Sequence, residues 1–102
     1  VVSEYMAKTY YWVCANSSRY REGWRFTSLR TARRGAFRHL KATKSTRGYS
    51  EIVIDTPDMV RYVGIVQAEG DRITYHEDFY PPLKLTGKKW ILNSDGTVGK
   101  RI

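Results

Sequence analysis

Between Ser28 and Ala42, apolar residues recur at Leu29, Ala32, Ala36, Phe37 and Leu40. Measured from Leu29 or Ala32, these steps of three, four, seven and eight form one stripe of a 3.6-residue helix. Thr27 or Ser28 supplies the N-cap, since a side-chain oxygen there accepts from a free N–H in the first turn. At about 100° per residue, the stripe is centred near Leu29, Ala36 and Leu40. Arg30, Arg34, Arg38 and Lys41 then fall on a second stripe, roughly 100–180° round from Leu29. Arg33 lies nearer the apolar edge.

Elsewhere the pattern is that of strands. Lys8 to Ala15 is β-branched and aromatic on both alternating faces, which predicts a central strand. Asn16-Ser17-Ser18 reads as a turn or loop. Arg19 to Phe26 predicts a second strand, with a break at Gly23. There Arg19, Arg21 and Arg25 share one face; Tyr20, Glu22, Trp24 and Phe26 share the other. Glu51 to Asp55 and Val60 to Val66 read as strands around a turn at Thr56-Pro57-Asp58. Glu69-Gly70-Asp71 turns the chain into Arg72 to His76. Glu77 to Pro82 reads as irregular, because two prolines end a strand. Lys89 to Asn93 and Thr97 to Arg101 flank Ser94-Asp95-Gly96, where Asp-Gly is a strong hairpin signal. The prediction is an α+β fold, with one amphipathic basic helix packed on a mostly antiparallel sheet of about five strands. The second sheet face needs cover from curvature, a loop or a partner.

At 102 residues the chain makes one domain. Met6-Ala7-Lys8 resembles a natural start, which would make residues 1–5 an addition or a disordered tail. There is no run of eighteen apolar residues, so no membrane span is expected. The single cysteine, Cys14, rules out an internal disulfide and a thiolate metal cluster. Its apolar surroundings predict a buried thiol, and one cysteine fits a reducing, cytoplasmic setting.

Charge changes the picture most. The net charge is +8, and ten of the eighteen Lys and Arg residues lie between Arg19 and Arg47 with one acid, Glu22. Residues 1–48 carry eleven bases and two acids, whereas residues 49–85 carry three and seven. Like charges at i, i+4 cost a helix roughly 0.2–0.5 kcal/mol each, and this helix has no acid of its own to offset them. Such a face fits either an anionic partner or carboxylates elsewhere in the fold.

Catalytic chemistry finds little support. No zinc spacing, nucleophile motif, phosphate loop or dinucleotide fingerprint is present. His39 reads as a surface residue. His76 and Glu77 are neighbours on a strand and point to opposite faces, so they would not converge. No catalytic residue, metal or cofactor is expected.

The function expected is a nucleic-acid-binding accessory protein, contacting DNA or RNA phosphates. Its candidate residues are Arg19, Arg21, Arg25, Arg30, Arg34, Arg38, Lys41, Lys44 and Arg47, with Tyr20 as a stacking ring. The alternative is a module or inhibitor that pairs its arginines with an acidic protein surface. A metal-independent RNase is a third reading. Internally, Arg33 is expected to pair with Glu51, Asp55 or Asp58, leaving Arg30, Arg34, Arg38 and Lys41 unpaired.

Overall fold

A computed structural model describes residues 9–15, 24–44, 48–58, 60–79 and 84–102. The strands are β1 (Tyr10–Ala15), β2 (Trp24–Phe26), β3 (Tyr49–Asp55), β4 (Val60–Glu69), β5 (Arg72–Phe79), β6 (Lys84–Leu92) and β7 (Val98–Arg101). The helix α1 (Leu29–Ala42) lies between β2 and β3. All seven strands form one sheet in the order β2-β1-β3-β4-β5-β6-β7. Every pairing is antiparallel. The α+β class stands, but the sheet has seven strands rather than about five. All the short strand-like runs join one sheet, and none is left as loop.

β1 lies between β2 and β3 and is antiparallel to both, so β2 and β3 run parallel to each other. The helix carries the chain from one to the other across β1. From β3 onward the chain is a simple meander. β5 and β6 extend beyond the runs legible in sequence, with β5 continuing to Phe79 where irregular chain was expected. Thr56-Pro57-Asp58 does form the bend between β3 and β4.

The helix begins as its sequence requires. The Ser28 hydroxyl accepts from the Thr31 N–H at 3.2 Å, which satisfies one of the free donors of the first turn. At the other end, Thr43 donates its backbone N–H to the His39 carbonyl at 3.0 Å. Lys44 follows with a φ of 53° and donates its N–H to the Lys41 carbonyl. Ala32, Ala36 and Leu40 are buried, and Leu29 and Phe37 pack partly buried beside them. Beneath them lie Val13, Ile52, Val66 and Ala68, one inward position each from β1 and β3 and two from β4. Gly35 meets the ring of Phe26, and a Cβ there would come within 2.4 Å of Phe26 Cζ. The glycine therefore lets β2 approach the helix closely.

The core continues past β4 through Ile73, Tyr75 and Leu92. The register shifts at Ile52/Val53, His76/Asp78 and Trp90/Leu92. Such irregularities strengthen the right-handed twist of a sheet. The far end accordingly curls back to the helix, so that the β6–β7 turn touches its first turns. Gly96 has a φ of 91°, and a Cβ on it would lie 2.2 Å from the Arg30 carbonyl oxygen.

The sheet face away from the helix carries Trp12, Cys14, Glu51, Val53, Thr74 and Lys89, by alternation with the inward positions. Cys14 is buried there, 1% exposed, and burial followed by the nearby Glu51 charge raises its thiol to about 11. The thiol therefore stays protonated, as a buried small side chain. Among the described residues, no helix is long and apolar enough to cross a membrane.

Candidate functional site

The outer face of α1 presents the second stripe. Arg30, Arg34, Arg38 and Lys41 are all exposed, as is Lys44 just past the helix end. Their placement follows from the helix period once Ala32, Ala36 and Leu40 point inward. They do not share one environment.

Arg30 reaches the β6–β7 turn. Its Nε donates to the Asp95 carbonyl at 3.3 Å, and its Nη2 stands 3.5 Å from Asp95 Oδ2. The expectation that Arg30 stays unpaired is therefore corrected, because curvature delivers a carboxylate from 65 residues away. Asp95 is held below the usual carboxylate range, first by hydrogen bonds from Thr97 and then by Arg30. The pair remains open to water, with both side chains more than half exposed. It stabilises little by itself.

Arg33 does turn inward, but its expected partners are also corrected. Glu51 and Asp55 belong to the sheet face away from the helix; Asp55 accepts from the Trp12 indole at 3.3 Å. Arg33 instead donates to the Gly96 carbonyl at 2.8 Å and lies over the Tyr75 ring, 5.0 Å from its centre. Tyr75 is buried, which pushes its phenol up to about 12 against the opposing charge of Arg33. Its ring stacks on Trp90 with centres 6.1 Å apart. Arg33 is thus part of the scaffold that joins helix, β5 and the last hairpin.

Arg34 and Arg38 form no ion pair with a carboxylate among the described residues. Lys41 lies over the Phe37 ring at 5.8 Å, which covers that apolar edge and leaves the ammonium in solvent. Near the helix end, Lys41, Lys44 and Arg72 line a cleft of about 250 Å³ together with Leu40, Ile73 and Asp71. Arg72 had no local signal in the sequence. It joins this surface because the Gly70-Asp71 turn sits beside the helix C-terminus.

Arg25 does not extend the stripe. It pairs in register with Trp12, on the sheet face away from the helix, and its guanidinium lies over Tyr10 at 4.6 Å. Arg19, Tyr20, Arg21 and Arg47 lie outside the described residues. On the helix side of β2, Phe26 joins the core, while Trp24 remains 47% exposed. Its ring lies 4.9 Å from His39, tilted by 52°. His39 therefore packs against an aromatic neighbour at the helix flank, rather than standing alone on the surface.

On the opposite sheet face the acids are engaged locally. Glu69 forms an ion pair with Lys89. Tyr62 has its phenol raised by burial and then by a hydrogen bond to Glu51. His76 pairs in register with Ile65 and Glu77 with Gly64, so their side chains take opposite faces. Among the described residues, no three His, Cys, Asp or Glu side chains come together as a metal site. No protein-family model, curated protein or solved structure matches the chain.

Proposed function

We propose that this protein binds nucleic acid through the outer face of α1, with Arg34, Arg38, Lys41 and Lys44 as its main phosphate contacts. One observation carries the reading. Arg34 and Arg38 are exposed on the helix with no described carboxylate paired to them, while Glu51, Asp55 and Glu69 sit on the far side of the sheet. The chain contains no acid between Glu22 and Glu51. A surface with a surplus of positive charge attracts a polyanion, and the release of counterions from that polyanion drives binding. Arg30 contributes less, because Asp95 shares its charge.

Contacts of this kind read the backbone and carry no sequence preference. If the four main side chains each meet a phosphate on duplex DNA, log K falls with log salt at a slope of about −3.6. The test is a titration of duplex and single-stranded DNA and RNA, by fluorescence anisotropy at several salt concentrations. The Arg34→Gln/Arg38→Gln double variant should fold normally, bind more weakly and lose about 1.8 from that slope. An unaltered slope, or no binding to any nucleic acid at low salt, overturns the reading. A partner retained from lysate after nuclease treatment, without oligonucleotide binding, would reassign the stripe to an acidic protein surface.

A further inference from the structure

We infer that Trp24, backed by His39, is a stacking platform for an unpaired base, so that the ligand of the helix face is a single-stranded nucleic acid. This deepens the reading above and rests on it. The starting point is a contrast within three residues. Phe26 and Trp24 share the helix side of β2, yet Phe26 packs partly buried against Gly35 and the core while Trp24 stays 47% exposed. An indole is a large apolar surface to leave half in water, and single large aromatics of this kind are favoured recognition groups.

The surroundings select the partner. His39 stands 4.9 Å from the indole at 52°, which supports one side of the ring without stacking flat over it. Arg38 is the preceding helix residue, about 100° further round toward solvent, and Arg34 lies one turn before it. A base resting on Trp24 would leave its own phosphate toward the Arg38 guanidinium, with Arg34 further round the helix on the Gly96 side. No acid lies between Trp24 and Ser50 to oppose it. The other two tryptophans are committed elsewhere, Trp12 to Asp55 and Trp90 to Tyr75. Bases in a duplex are stacked on one another and offer no face to the indole. Unpaired bases do, whatever their identity.

The experiment compares wild type, Trp24→Phe and Trp24→Leu against an oligothymidylate and a duplex of the same length. Binding is followed by anisotropy and by tryptophan emission, with circular dichroism as the check on folding. Single strands should quench wild-type emission, and Trp24→Phe should abolish that quench while keeping most of the affinity. Trp24→Leu should weaken single-strand binding by about 5- to 150-fold and leave duplex binding unchanged. Single-strand binding without a Trp24-dependent quench overturns this inference. If that binding still responds to Arg34→Gln/Arg38→Gln, the phosphate reading survives alone. Failure to bind either nucleic acid overturns both. Should Trp24→Leu misfold, the quench in wild type and its loss in Trp24→Phe still decide the matter.

Discussion

Gly96 shows how much one residue can hold. Its φ of 91° lies in the region that side chains disfavour, and a Cβ on it would run into the Arg30 carbonyl. The same turn presents the Asp95 and Gly96 carbonyls to Arg30 and Arg33. Gly96→Val would strain the backbone and drive a side chain into the helix. The expected loss is about 1–3 kcal/mol from the conformation alone, with more from the clash. For a domain of this size that lowers Tm by roughly 4–8 °C per kcal/mol. An unchanged Tm would mean that the turn does not dock on α1.

At the scale of the element, the helix has two faces with separate tasks. Its inner face is small at the crossing, through Ala32 and Ala36, and large at the end, through Leu40. Leu40 is 3% exposed and packs in the same cluster as Ala68 and Ile73. Leu40→Ala removes buried methyl groups and leaves a cavity, for an expected cost of about 2–5 kcal/mol. Urea unfolding measures it directly, as a lower midpoint at unchanged slope. The outer face should behave in the opposite way, with substitutions at Arg34 and Arg38 that change binding and spare the midpoint. If Leu40→Ala left the midpoint in place, the faces would have been assigned the wrong way round.

Across the whole molecule, the exposed bases of α1 lie on the opposite side of the sheet from Glu51, Asp55 and Glu69. Those three acids are engaged within the far face of the sheet. Glu69 on β4 pairs with Lys89 on β6, across the intervening β5. The hydrogen bond from Lys89 holds the Glu69 carboxyl below its ordinary value of 4.5, against the opposing effect of burial. Because the folded-state value is lowered, the pair stabilises the fold at pH above about 4.5. That stability disappears as pH falls through the lower, folded value. Both side chains are about 30% exposed, so the contribution is modest, about 1 kcal/mol or less. Glu69→Gln should lower Tm slightly at neutral pH and lose less stability than wild type on acidification. A parallel acid profile for the two proteins would show that the pair contributes nothing.

What the sequence determined by itself is what local spacing can encode. The span of α1, its cap at Ser28, its buried Ala36 and Leu40 and its outward arginines follow from a 3.6-residue period and one hydroxyl. The left-handed Gly96 follows from turn chemistry, and buried Cys14 from a strand apolar on both faces. Only the tertiary structure decided which long-range partners meet. Arg25 points away from the helix stripe because pairing with β1 sets its side, and a shift of one residue would reverse it. Arg33 finds Gly96 and Tyr75 rather than Glu51, because β3 turns Glu51 to the far face and the curled sheet brings the last hairpin in its place. Arg30 gains Asp95, and Arg72 joins Lys41 and Lys44, through that same curvature. Strand register and bulges arise from pairing between distant segments, so no window of neighbouring residues carries them.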